Sequence, residues 1–490
     1  MLIVTQTYSQ GNDLSRRVGR QDVLQSRRVD SKRRCSDTTE AHGAHRNRHR
    51  RLHRPRRLYE RALAVLEPRD QDGRRLRCDL LLALGDAQRR AGNPSYRETV
   101  AQAVDVARAL GDGEHLARAA LASARPGGFM ASANAVDHEL LALFEEAAAG
   151  LGEVDSLLRA RLLGQLAVEL VYTSQDERRD ALSREAIAIA RRLSDPLGLA
   201  QVLILRLIAF NNPFTLTERL DFSAELAVQA EALGSSELAW HASFHRAGAL
   251  LESGDVSAAE RALAELERLA GELRQPFYSW FARTGRTMLA VMRGAPDGEV
   301  QVFETFDLGT AGGQPDAAQA FGAQMFNVRH NQGRLAELVD ALHANVEAQP
   351  HVPAWRAALA MACTETDQLA EARSQLDGCR ASGFGHPLNW SWTSYMVCLT
   401  AVIDELGDRD AAAALYGALD SVSKQQDVLA VVRTRRAWAA MLLDRNAPGD
   451  AIRARDLIAA GRAEAEQLGM ARELVRFERL EAKLAALAAS

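Results

Sequence analysis

Apolar and polar positions from Leu58 onward alternate with a period of three to four residues almost everywhere, and residues 233–277 show the pattern most plainly. Trp240, Phe244, Ala247 and Leu251 fall at i, i+4, i+7 and i+11, which aligns one apolar stripe along a helix. Gly254 and Asp255 then stop that helix and cap the next. Ala259, Ala262, Leu263, Leu266, Leu269 and Leu273 repeat the stripe, while Glu260, Arg261, Glu265, Glu267 and Arg268 keep to the wet side. This predicts a helical hairpin. One hairpin buries only one face of each helix, so such units come in stacks.

The repeat period follows from the helix-ending Leu-Gly pairs at Leu110-Gly111, Leu151-Gly152 and Leu233-Gly234, with Leu193-Ser194 and Leu273-Arg274 in equivalent places. Successive leucines are 41, 42, 40 and 40 residues apart. That exceeds the ~34 of a standard tetratricopeptide unit and overlaps the ~40 to 47 of HEAT-type units, so helices with an extra turn are expected. Short turns are expected at 92–94, 126–128, 211–213 and 294–296. The expected fold is all-α, a right-handed superhelix of tetratricopeptide-like hairpins with a repeat of about 40 residues.

Past Leu273 the period drifts. Residues 309–315 (GTAGGQP) form the strongest internal stop, which suggests an N-terminal array over 58–308 and a C-terminal array over 309–490. A second irregular stretch, 381–390 (ASGFGHPLNW), precedes a helical pair that turns at Leu406-Gly407-Asp408. The last pair spans 431–470 around a turn at 446–450, and Leu474, Phe477, Leu480, Leu484 and Leu487 mark a closing helix.

Composition agrees with helix: 47% of the 490 residues are hydrophobic, only 6% are aromatic, and Ala, Leu, Arg and Glu are the filler. The net charge of −4 conceals two regions. Residues 1–57 hold 15 Lys+Arg against 5 Asp+Glu, leaving 45 against 59 for the body. An acidic body gives no reason to expect nucleic acid along its surface. The basic leader has only nine Leu, Ile or Val residues in no sustained period, so it is expected to be disordered and dispensable. Its clustered arginines fit an arm for nucleic acid or an anionic membrane. Its abrupt junction with the helical pattern, in mid-hairpin, equally fits a misplaced start or shifted reading frame in GC-rich DNA. The five cysteines form no C-x-x-C pair, no apolar run approaches the ~20 residues of a membrane span, and the first residues lack a secretory h-region. A reduced, cytoplasmic setting is expected.

The residues then resemble something specific. LYERALAVLE, LLLALGDAQRRAGN, RQPFYSWFARTGRTMLAVMRG, NQGRLAELV, PAWRAALAMACTETDQLAEAR and WAAMLLDRNAPGDAIRARDLIAAGRAEAEQLGM resemble the C-terminal helical half of large actinobacterial signalling ATPases, over residues 58–490. Those proteins begin with an AAA or STAND-type nucleotide-binding module, in some preceded by a class III nucleotide cyclase domain. Others end in a LuxR-type helix-turn-helix. This chain departs from them in lacking G-x-x-x-x-G-K-[ST], in having only 20 residues after Met470, and in a shorter region between Leu415 and Trp438. The resemblance therefore implies the sensor or scaffold half alone, with a nucleotide-binding signalling domain as its partner.

Candidate chemistry is sparse. Glu237, His241 and His245 share a helix face at zinc-like spacing, but no second cluster supplies another ligand, so no metal or other cofactor is expected. Trp240, Tyr278, Trp280, Trp355, Trp390, Trp392 and Trp438 recur nearly once per repeat on expected first helices. With His241 and His245 they are candidates to line a concave groove for a peptide or small effector; the competing role is core filler between hairpins. G-x-S-x-G, H-E-x-x-H and a dinucleotide-binding glycine turn are absent, and no enzyme is expected. The expected function is a non-enzymatic scaffold or sensor for protein interaction in signalling or transcriptional regulation, with a stand-alone small-effector sensor as the alternative.

Overall fold

The computed structural model describes residues 56–489 apart from 68–69, 92, 125–135, 315, 351, 416–431, 433–434, 437, 441 and 444–447. The leader up to residue 55, the turn at 126–128 and most of 415–438 lie outside the described residues, as do the end of the 309–315 stop and the start of the 446–450 turn. The described residues are helical throughout their regular elements and contain no strand. The chain is an all-α array of helical hairpins, the expected class. No helix among the described residues is long and apolar enough to cross a membrane.

Besides helical segments at 56–65 and 409–415, the helices in chain order are α1 (Gln71–Arg90), α2 (Tyr96–Leu110), α3 (Gly113–Ser123), α4 (His138–Leu151), α5 (Leu157–Glu169), α6 (Asp176–Arg192), α7 (Pro196–Ala209), α8 (Leu216–Ala232), α9 (Ser236–Glu252) and α10 (Val256–Leu273). They continue as α11 (Pro276–Met292), α12 (Gly298–Ala311), α13 (Ala317–Gln332), α14 (Val339–Ala348), α15 (Pro353–Thr364), α16 (Leu369–Ala381), α17 (Trp392–Leu406), α18 (Asp450–Leu468) and α19 (Ala471–Ala489). The predicted local signals are met in detail. Asp255 Oδ1 accepts the Ala258 backbone N–H at 2.9 Å, capping α10 behind Gly254 at φ 83°. Helices α8, α9 and α10 run 17, 17 and 18 residues, the length that the 40-residue period requires. Gly111, Gly152 and Gly234 all have positive φ, and so do Ser194 (52°) and Arg274 (51°) at the two equivalent helix ends without glycine.

Two compact units divide the chain, and the boundary falls inside α5 between Leu166 and Ala167. The smaller unit holds α1–α4 and most of α5 around Cys78, Leu81, Val100, Ala103, Leu116 and Phe144, all buried. Burial pushes the Cys78 thiol up to about 11, so it is an inert core residue. The larger unit runs from Ala167 to the end of α19. Residues 309–315 do not separate two units: α12 and α13 both lie inside the larger one. Gly309 is a helical residue that lets α12 approach its neighbours, since a Cβ there would lie 2.5 Å from Trp280 Nε1 and 2.8 Å from the Ala317 Cβ.

Within the larger unit, segments more than 200 residues apart in the chain touch. The irregular 381–390 loop returns to the α5–α6 turn. Arg179 Nη2 donates to the Leu388 carbonyl at 2.7 Å across 209 residues, and Asn389 Nδ2 donates to the Val171 carbonyl at 3.3 Å across 218. Trp390 Nε1 donates to the Tyr172 hydroxyl at 3.2 Å across 218 residues. An independent contact repeats the spacing, with Gln467 Nε2 donating to the Gly254 carbonyl at 3.3 Å across 213. One core cluster accordingly joins residues of α9–α11, such as Leu266 and Phe281, to Ile458 of α18 and Phe477 of α19. Segments more than 200 residues apart in the chain thus share apolar surface.

Candidate functional site

A solvent-open cavity lies in the larger unit where α6 and α8 flank the C-terminal end of α7. Sequence builds this corner locally. Helix α7 stops at Phe210, Asn212 Oδ1 accepts the Phe214 backbone N–H at 3.0 Å, and Pro213 opens a single 3-10 turn over Pro213–Thr215. Thr215 Oγ1 donates back to the Phe210 carbonyl, tying the turn shut. Asp180 and Arg184 lie one turn apart on α6, as do Glu218 and Phe222 on α8, so each pair shares a helix face. Together with Arg206, Phe210, Phe214, Thr215, Thr217 and Asp221 they enclose an open pocket of about 580 Å³.

Its floor is a buried arginine, 2% exposed at the side chain. Arg206 Nη1 donates to Asp180 Oδ1 at 2.6 Å and to Ser183 Oγ at 2.7 Å; Nε and Nη2 donate to the two Glu218 oxygens at 2.6 and 3.1 Å. The guanidinium also stacks over Phe210, 3.7 Å from the ring centroid. Arg184 closes the set from outside, donating from Nε to Asp180 at 2.7 Å and lying 3.5 Å from Glu218. Two carboxylates and two guanidiniums therefore alternate around a ring. Burial works against the Asp180 charge, but the hydrogen bonds from Arg184 and Arg206 outweigh it and hold this carboxyl below the usual range. The Asp180 hydrogen bond raises Arg184 in turn.

Behind the pocket lies the returning loop. Arg179 is fully buried, with its guanidinium 4.7 Å from the Phe210 ring and hydrogen-bonded to Asp176 (2.6 Å) and to the Val171 carbonyl (3.3 Å) besides that of Leu388. Burial draws its pKa down and lifts that of Asp176. One repeat later Arg219 plugs the equivalent corner, donating to the Asn212 carbonyl at 3.1 Å and to Glu252 Oε1 at 3.0 Å. Phe214 meets Trp392 edge-on at 5.1 Å, so a wall of the pocket rests on the start of α17.

The residues singled out from sequence sit elsewhere. Trp240, His241, His245, Tyr278 and Trp280 come together in one aromatic cluster of α9 and α11, with Trp240 stacked on Phe244 at 5.2 Å and Trp280 against Phe281 at 4.6 Å. Trp240 is 0%, Trp280 1% and Trp355 1% exposed, so these side chains fill the core and present no surface to a groove. Trp392 is buried behind the pocket, and Trp390 is half-buried in the returning loop. The Tyr278 hydroxyl donates to Glu237 Oε1 at 2.6 Å, and the Glu237 charge still acts on His241. Desolvation lowers His241 to about 4 and takes His245 well below 6.5, so both are neutral. No group of three His, Cys, Asp or Glu among the described residues could hold a metal ion. Sequence periodicity missed Asp180, Arg184, Arg206 and Glu218 because it assigns charges to the wet side. The available signal was Arg206 standing alone in the apolar run VLILRLIAF just before a proline turn flanked by phenylalanines.

No protein-family model and no curated protein sequence matches the chain. Among solved structures, the crystal structure of yeast Tom70 is similar over 90% of this chain and 95% of that one, at 11% identity and a TM-score of 0.34. The helical-hairpin architecture stands on this chain's own caps, periods and packing.

Proposed function

We propose that this protein is a non-enzymatic helical-repeat scaffold that binds a partner protein through the corner pocket of its larger unit. One observation carries the reading: a solvent-open cavity of about 580 Å³ whose polar walls are held rigid by a buried arginine and whose apolar walls are phenylalanine rings. Pre-organised walls of that kind give up little entropy on binding. The resemblance to the helical halves of signalling ATPases supports a partner among nucleotide-binding signalling proteins or transcription factors, and a cytoplasmic setting.

Affinity purification from the source cells, run in parallel with the full chain and with a Phe214→Ala/Asp221→Lys variant, tests this. A nucleotide-binding signalling protein or transcription factor is expected with the first and not with the second. Equal recovery with both, or recovery with neither, defeats the proposal. A second reading, a small-effector sensor, is favoured by the cavity volume, which falls in the ~300–1,000 Å³ range of small-molecule sites. It predicts a discrete small molecule in native mass spectra of the purified chain that the same variant no longer carries.

A further inference from the structure

We propose that the corner pocket is a receptor for an arginine side chain of the partner, and that Arg184 is an internal stand-in which occupies its outer position until the partner arrives. The proposal rests on the scaffold reading in one respect, that the arginine is carried by a protein; the chemistry of the pocket is testable without that protein.

The charge ring has an inner and an outer guanidinium with unequal commitments. Arg206 is 2% exposed, makes four hydrogen bonds and lies flat over Phe210, so it is structural. Arg184 is 61% exposed; it donates to the outer Asp180 oxygen, Oδ2, and lies at ion-pair distance, 3.5 Å, from the Glu218 Oε2 that Arg206 also holds. An ion pair that open to water is worth little, so a competing cation displaces it cheaply. The geometry left behind suits a guanidinium, which bridges two carboxylates with its planar fork of donors; an ammonium, a compact point charge, does not.

Two further features point the same way. Asp221 stands exposed on the lip of the pocket with no hydrogen bond or ion pair among the described residues, so the site carries one carboxylate more than its two arginines neutralise. Phe214 and Phe222 are only half-buried and offer ring surface to the cavity, and a guanidinium stacks on an aromatic face while an ammonium is better hydrated. The site already contains the recognition mode it would repeat, in Arg206 over Phe210.

The test titrates the full-length protein with N-acetyl-arginine methylamide and, separately, with its lysine counterpart, followed by saturation-transfer NMR. The arginine compound is expected to bind in preference to the lysine one. Arg184→Ala, which removes the stand-in, should tighten arginine binding by up to about fivefold, and Asp221→Asn should weaken it by a similar factor. Both substituted side chains are exposed, and unchanged melting temperatures show that neither alters the fold. Equal binding of the lysine compound overturns the proposal. So does weaker or unchanged arginine binding in Arg184→Ala, indifference to Asp221→Asn, or no binding by either the wild type or Arg184→Ala. A partner protein recovered through the pocket while the arginine compound fails would keep the scaffold reading and remove this one.

Discussion

Arg179 and Leu388 lie 209 residues apart in the chain, yet a guanidinium nitrogen of one donates to the carbonyl of the other at 2.7 Å. A helical array whose repeats touch only their neighbours unfolds piecewise. This contact, with those of Asn389 and Trp390, joins the first turn of the larger unit to a loop more than five repeats on, and makes the intervening helices interdependent. Arg179→Met should cost about 2–3 kcal/mol, because it strands the buried Val171 carbonyl, the half-buried Leu388 carbonyl and the partly exposed Asp176 carboxylate. Asn389→Ala should cost about 1–2 kcal/mol. Denaturant titration measures both, and limited proteolysis should show faster cleavage within 381–391. A loss under about 1 kcal/mol for Arg179→Met with unchanged cleavage would mean that the loop is not a clasp.

Ser194 and Arg274 hold the left-handed conformation at helix ends where other repeats place glycine. That conformation costs an L-residue about 1–2 kcal/mol, part of which glycine returns to the flexibility of the unfolded chain. Ser194→Gly and Arg274→Gly should each stabilise the protein by about 0.5–1 kcal/mol. Lower melting temperatures for both would show that their side chains do something that the helix end does not require.

These two positions also show what the sequence could disclose. Their equivalence to Leu-Gly pairs was visible from spacing alone, because a helix end is a local event with a local signature. The hairpins, the Asp255 cap and the apolar stripes were legible for the same reason. The clasp was not: which loop meets α6 depends on how far the stack rotates per repeat, and that accumulates from many small packing angles. The tryptophans were recognised as recurrent, but a stripe reveals only that a face is covered and leaves open whether a neighbouring hairpin or a ligand covers it. Arg179, Arg206 and Arg219 were hidden for an electrostatic reason. A charge normally marks the wet side, and here carboxylates and helix-end carbonyls satisfy it inside.

Gly309 and Gly461 are close-approach points. A Cβ at Gly309 would meet Trp280 Nε1 at 2.5 Å, and one at Gly461 would meet Phe477 Cζ at the same distance. Alanine normally gains about 1 kcal/mol over glycine in a helix, but overpacking costs about 1–3 kcal/mol. Gly309→Ala is therefore expected to lower stability, and adding Trp280→Phe, which trims the opposing ring, should restore part of the loss. Stabilisation by Gly309→Ala alone would mean that α12 moves away freely.

The acid response should come from histidine. Desolvation lowers His241 and His386 to about 4 and His245 well below its ordinary 6.5; Glu237 opposes the shift at His241, while His241 and Arg219 add to it at His245. A histidine whose folded pKa is depressed stays neutral in the folded chain while its unfolded counterpart takes up a proton. Stability is then complete above about pH 6.5 and falls as the pH drops toward 4, by about 1.4 kcal/mol per pH unit for each proton. Carboxylates held low by arginines, such as Asp180 and Glu299, lose their contribution only as pH falls below ordinary values of 3.8 and 4.5, and Asp176, whose pKa burial raises, acts in the opposite sense to the histidines, so a decline between 4.5 and 6.5 is the histidines'. His241 lies among Trp240, His245 and Tyr278, and its buried Nδ1 has no hydrogen-bond partner, so phenylalanine can replace it without stranding a polar group. Urea midpoints measured across that interval should decline on acidification in the wild type and decline less steeply, by about 1.4 kcal/mol per pH unit, in His241→Phe. Parallel slopes for the two proteins would show that His241 is protonated in the fold and that the aromatic cluster is open to water.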